Sequence, residues 1–163
     1  MSSIVPPKLS HLDARGRVRM VDVSAKPTTR REAVARGRVS MAPKTLALLR
    51  EGKTPKGNVI ATAHLAGVMA AKRTAELIPL AHALPLDGIE LHFDLDAHSD
   101  AVAIEARVRT KARTGVEMEA LTAVAVAALT LYDMLKAVDR GMVIGEIALW
   151  EKRGGRSGTF RRR

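Results

Sequence analysis

The chain contains no cysteine, which excludes disulfides and thiolate chemistry and leaves the redox compartment open. Aromatics are nearly as scarce: Phe93, Tyr132, Trp150 and Phe160 are the whole set in 163 residues. A core must therefore be built from aliphatic and small side chains, alanine prominent among them. Such a core favours close helix packing but gives one subunit modest burial, so association with further copies is expected. No run approaches the roughly twenty apolar residues of a membrane span, and Met1-Ser2-Ser3-Ile4-Val5-Pro6-Pro7 lacks the apolar centre of a secretory signal. A cytoplasmic protein without a membrane partner is expected. Five histidines are present, but His11, His64, His82, His92 and His98 form no ligand spacing. No zinc site, and no other metal site, is expected from them.

What the chain does have is positive charge, +10 in all, unevenly placed. From Glu151 to Arg163 there are six bases against one acid, whereas Asp87 to Glu105 carries six acids and no Lys or Arg. A small anionic ligand is at least as well served by that distribution as a nucleic acid. The Gly/Arg-rich end, residues 153–163, reads as a basic tail that is disordered until a ligand binds.

The alternation of apolar and polar residues predicts the order of elements. Residues 1–18 read as a mobile arm, and Arg19 to Val23 as a short strand. Ala33, Ala35, Val39 and Met41 share one face of a strand with Arg31 in the same register, so the Arg31 guanidinium points into a pocket or lies at a fraying end. Pro43 opens a helix that Gly52 ends. Asn58 to about Leu77 reads as a second helix. Ile89, Leu91, Phe93 and Leu95, then Val102, Ile104, Ala106 and Val108, form a hairpin with one wet face, turning at His98-Ser99-Asp100. A long helix and a strand near Glu146 to Lys152 follow. Strand, helices, strand, strand, helix, strand is the α+β, ferredoxin-like split βαβ order, an antiparallel sheet with helices on one face. Residues 19–152 form its single domain.

The long helix opens at Thr114-Gly115-Val116-Glu117, a T-x-x-E capping box in which Thr114 and Glu117 satisfy each other's amides. Gly141 reads as its left-handed stop. Glu119 and Asp133 fall on similar faces, but fourteen residues of rise put them ~21 Å apart. Spacing alone leaves two readings. Glu117 is a cap and Asp133 with Lys136 a solvated i,i+3 pair, or these are acid and base groups flanking the uncharged run Ala120 to Leu131. Elsewhere, Gly52-Lys53-Thr54 is not a P-loop, because Ala47 stands at the first glycine position and Pro55 follows. Lys53, Lys56 and Gly57 still precede a helix start, where phosphate is favoured. His82 lies in the apolar stretch Ile78 to Leu84 and reads by itself as a satisfied loop residue.

Several motifs in one order resemble the cyclic pyranopterin monophosphate synthase (MoaC) family of molybdenum cofactor biosynthesis. They are Met20-Val21-Asp22-Val23-Ser24, Lys56-Gly57 with Ala61-Thr62-Ala63, Ala71-Lys72-Arg73-Thr74, Ile78-Pro79-Leu80 with His82, Thr114 to Thr122, Tyr132-Asp133-Met134 and Lys136-Ala137-Val138. The likeness runs from about His11 to Phe160. It implies a lyase that rearranges a cyclised dihydroguanosine triphosphate into a pyranopterin, closes a cyclic phosphate and releases diphosphate. It implies ferredoxin-like subunits in a homohexamer, a trimer of dimers, with sites at the dimer interface. By motif, Leu80, Ala81, His82, Met118 and Glu119 would bind substrate, with Glu117 beside it, and Arg31 and Arg73 would assist with anions. Asp133 would be the acid/base residue, and Lys56 and Lys136 would handle protons and phosphate charge. No cofactor is implied, though magnesium on the triphosphate suits the chemistry.

The chain departs from the family where Cys-His-Pro is often found: here it reads Ala81-His82-Ala83, and Arg113 replaces the usual lysine. A catalytically idle relative is one alternative that this keeps open. The other is a basic ferredoxin-like RNA-binding module. Such sheets need aromatics for base stacking, and the central strands offer only Phe93, in the apolar register.

Overall fold

The computed structural model describes Leu12 and residues 15–95 and 100–163. Most of the expected N-terminal arm, and His98 and Ser99 of the expected turn, lie outside the described residues. The elements are β1 (Thr29–Ser40), α1 (Pro43–Arg50), α2 (Val59–Lys72), α3 (Thr74–Leu77), β2 (Gly88–Asp94), β3 (Ala101–Ala112), α4 (Glu117–Leu135), β4 (Val143–Arg153) and β5 (Phe160–Arg161). The sheet order is β2-β3-β1-β4-β5, with every pair antiparallel. The first four strands are the ferredoxin-like arrangement, in which two βαβ halves interleave.

Odd positions of β1 face the helices, and on the other face Arg30, Glu32, Arg36 and Arg38 carry charge around a buried Val34. Ala33, Ala35 and Val39 have no exposed surface, while Arg36 pairs with Glu105 at 2.7 Å and lies 4.5 Å over the Trp150 ring. The long helix α4 packs on β1, β3 and β4, and α2 packs on α4 and β2. The small side chains make this approach close: a Cβ on Gly67 of α2 would stand 3.0 Å from the Ala123 carbonyl oxygen of α4 and 2.5 Å from Leu91. Phe93 packs into the same layer beside His64, so it offers no face for stacking on the wet side of the sheet.

Several local expectations are corrected. Arg19 to Val23 is not a strand; Asp22 folds the chain there by accepting from the Ser24 amide at 2.8 Å. The second helix breaks at Arg73 into α2 and α3. The Thr114–Glu117 capping box does not form, because α4 starts at Glu117 with Val116 as its uncapped N-cap. Gly141 is not left-handed and is not the stop: α4 ends at Leu135, and Asp139 holds the exit by accepting from Gly141 and from the Ala42 amide at the start of α1. The Gly/Arg-rich end is a folded-back hairpin, not a disordered tail. Gly154, Gly155 and Gly158 take positive φ to turn the chain, and β5 pairs with Glu151 and Lys152.

Among the described residues one helix, α4, is long and apolar enough to cross a membrane by length and composition alone, contrary to the expectation of no such run. More than half of its apolar window is buried against the rest of the fold, and Ala120, Ala123, Val124, Ala127, Ala128 and Leu131 are wholly covered. It is the central helix of the core.

Candidate active site

The residues singled out from the sequence gather at two places, at opposite ends of α4. At its start, a cavity of about 420 Å³ is lined by Leu80, Ala81, His82, Glu117, Met118 and Glu119, together with Val21, Val23, Lys26, Leu84, Thr114 and Gly115. A second cavity of about 340 Å³ adjoins it through His82, Leu84 and Glu119 and includes Arg73. Arg73 is engaged with Glu76 at 2.8 Å. A cleft of about 720 Å³ continues on the other side through Lys26, Thr114, Gly115 and Glu117. It carries Arg31, Arg113, Lys152 and Arg156, a strongly cationic wall.

Local geometry explains each placement. His82 follows α3 in an extended loop and is held by donating from Nε2 to the Val21 carbonyl at 2.9 Å, so the chain without the family's usual proline still fixes the ring. Arg31, at the helix-facing end of β1, lines the cleft, the first of the two placements its register left open. Its guanidinium donates to the Arg113 carbonyl at 3.3 Å and covers Gly155, where a side chain would collide with it; at Gly154 a side chain would collide with the Arg30 carbonyl. The Glu117 carboxylate folds back over Gly115 into space that only glycine leaves empty. Glu119 is 4% exposed. Burial, aided by the charge of Glu117, pushes its carboxyl up to about 7.

At the other end of α4 stands a compact cluster. Lys136 Nζ lies 2.7 Å from Asp133 Oδ1, and Lys56 Nζ lies 3.4 Å from Asp133 Oδ2 and donates to the Asp133 main-chain carbonyl at 3.0 Å. Lys56 is presented by a turn in which Gly57 has φ +76° and Thr54 donates to the Gly57 carbonyl at 2.6 Å. Hydrogen bonds from Lys136 and then Lys56 hold the Asp133 carboxyl below its ordinary value. In the single chain all three side chains are exposed.

The sequence reading missed Lys26, Val21 and Val23, and the cations Arg113, Lys152 and Arg156. The motif Met20 to Ser24 signalled the first group, but nothing in its pattern said that it lies over a site. The others depend on the folding-back of the C-terminal segment. Among the described residues, no three His, Asp or Glu come together as a metal site.

A family model for the MoaC family matches residues 20–155. A protein of Thermomicrobium roseum named cyclic pyranopterin monophosphate synthase is 66% identical over 155 residues, covering 95% of this chain and 93% of its own. Relatives of the same name from Pelotomaculum thermopropionicum and Chloroflexus aurantiacus are each 62% identical over 95% of this chain, covering 91% and 95% of their own. The cavity at the start of α4 and the Lys56–Asp133–Lys136 cluster at its end both lie inside the matched region, and with likeness of this extent the chain belongs to the MoaC family.

Proposed function

We propose that this enzyme is a cyclic pyranopterin monophosphate synthase. It converts a cyclised dihydroguanosine triphosphate to cyclic pyranopterin monophosphate and diphosphate in molybdenum cofactor biosynthesis, and is thus a phosphorus–oxygen lyase. The observation that carries the reading is the identity of 66% to a relative of that name along nearly the whole chain. The geometry suits the chemistry. The pocket of His82, Met118 and Glu119 suits the guanine-derived ring, and the Arg31 cleft suits a polyphosphate.

Closing the cyclic phosphate requires a hydroxyl oxygen to attack phosphorus as diphosphate leaves. The attacking group must lose a proton and the departing oxygens gain charge. Asp133, anionic at neutral pH, serves as the proton acceptor, and Lys56 and Lys136 supply protons and counter the phosphate charge. Glu119, with a value near neutrality, exchanges protons with the ring system during the rearrangement. No resident cofactor or metal is proposed; magnesium accompanies the triphosphate as part of the substrate.

One chain does not bring the two ends together, since the rise from Glu119 to Asp133 is ~21 Å. We therefore propose a homohexamer, a trimer of dimers, in which a two-fold axis sets the start of one α4 against the end of another. Exposed Leu65 and Met69 on α2 and Leu129 on α4 give an apolar surface for such pairing. A cytoplasmic location follows from the proposed nucleotide chemistry. A nucleic-acid role finds no stacking platform, because Phe93 faces the helices and Trp150 lies under Arg36. Incubation with the cyclised nucleotide while following diphosphate tests the reading, and purified oligomer that releases none overturns it.

A further inference from the structure

We propose that Asp22 is a positioning residue that sets which nitrogen of His82 carries the proton, an inference that rests on the function proposed above. Residues 20–26 form a strap with no regular secondary structure. Val21 and Val23 nevertheless line the cavity with His82 and Glu119, while Asp22 between them does not. No strand ladder shapes this strap. Local bonds do so: the Ser24 amide donates to Asp22 Oδ1 at 2.8 Å, with the Ser24 hydroxyl also bonded to that carboxylate, and the Lys26 amide donates to the Val23 carbonyl at 3.0 Å. The first is an Asx turn, which fixes the backbone on either side of the aspartate.

The Val21 carbonyl, adjacent to that turn, lies 2.9 Å from His82 Nε2. A carbonyl can only accept, so Nε2 must hold a hydrogen, and neutral His82 is left with the Nδ1 lone pair as its one basic site. The strap therefore determines which nitrogen can take a proton from substrate, and Asp22 determines the strap. Its exposed carboxylate touches the chemistry only through this chain of bonds, so the turn-forming oxygen matters and the charge does not. Asparagine offers the same oxygen; alanine offers none.

The test compares Asp22→Ala, Asp22→Asn and Ser24→Pro oligomers with wild type, by diphosphate release and by the imidazole ¹H–¹⁵N spectrum, with His82 assigned by its loss in His82→Gln. Ser24→Pro removes the donor of the same bond and so provides an independent variant. Wild type and Asp22→Asn should show His82 as the Nε2–H form, with turnover within about threefold of each other, because the amide oxygen replaces the carboxylate in the turn. Asp22→Ala and Ser24→Pro should show both tautomers and lose ~10- to 100-fold in kcat, the scale of a misplaced catalytic group. The proposal is overturned if Asp22→Ala keeps the single tautomer and wild-type turnover, or if Asp22→Asn is as impaired as Asp22→Ala. Wild type that releases no diphosphate, with a spectrum that still follows the turn, would sink the functional reading and leave the positioning role standing.

Discussion

At the start of α4, Glu119 is enclosed, feels the charge of Glu117 and titrates near 7; at the end, Asp133 stands in solvent between Lys136 and Lys56 and is held below the ordinary carboxylate range. Two carboxyls on one helix thus differ in proton affinity, one raised toward neutrality by burial and one lowered beside two cations. Surroundings, not residue type, make the difference. The start of α4 borders a cavity, and its end holds two lysines against Asp133.

The sharpest way to break this comparison is to disable the charged end. Asp133→Asn and Lys136→Ala should each lower turnover by at least ~100-fold while the oligomer stays intact, as read by diphosphate release and light scattering. Near-normal turnover would remove the cluster from the chemistry.

Next in size is complementation between ends. Glu119→Gln and Lys136→Ala oligomers should each be almost inactive. Dissociated and reassembled in equal mixture, they should regain roughly a quarter of wild-type activity, because half the dimers are mixed and half the sites in each are intact. Confirmed subunit exchange without recovery would show that Glu119 does not share a site with Lys136 of the partner subunit. A monomeric mass at micromolar concentration would exclude the shared site altogether.

The enclosed end has a pH signature of its own. Its raised value means that the folded chain binds the Glu119 proton more tightly than the unfolded chain, so stability falls as pH rises from 4.5 to about 7. Glu119→Gln cannot ionise, and it should match wild type near pH 4 but exceed it near pH 8 by up to about 3 kcal/mol in denaturant unfolding. A difference that does not change with pH would mean that a cation of the partner subunit already neutralises this carboxylate.

The smallest effect is expected at the C-terminal edge. Removing Arg161 to Arg163 deletes an ion pair from the exposed Arg161 to the half-buried Glu151 at 3.3 Å, the Arg162 amide bond to the Trp150 carbonyl and the Arg162 guanidinium bond to the Leu149 carbonyl, all at the sheet edge. Turnover should change by less than about twofold, since exposed pairs contribute little. A loss comparable to that of Lys136→Ala would assign the edge a part in the site.

The alternation in β1, β2 and β3 and the uncharged run in α4 were plain in the sequence because burial imposes periods of two and 3.6 on any chain that folds this way. So were Pro43 at the start of α1 and Gly52 at its end, where Lys53 and Gly52 amides donate to the Leu48 and Leu49 carbonyls. Motif likeness named His82, Glu119, Asp133, Lys56 and Lys136. The capping box was misread for a local reason: Glu117 turns its carboxylate over Gly115, not toward Thr114.

Periodicity and helix rise alone set the layers, the order of β1 to β4 along the chain and the ~21 Å between Glu119 and Asp133, but not β5 or the turn at Asp22. Tertiary structure decided the rest. It brought Val21 to His82 across 61 residues, set Lys56 against Asp133 across 77 and carried Lys152 and Arg156 to the Arg31 cleft. It also buried Glu119 while leaving Asp133 in solvent, and so gave two carboxyls opposite shifts. Those outcomes depend on which distant segments exclude water from a given group, a property of the packed chain that no local pattern encodes.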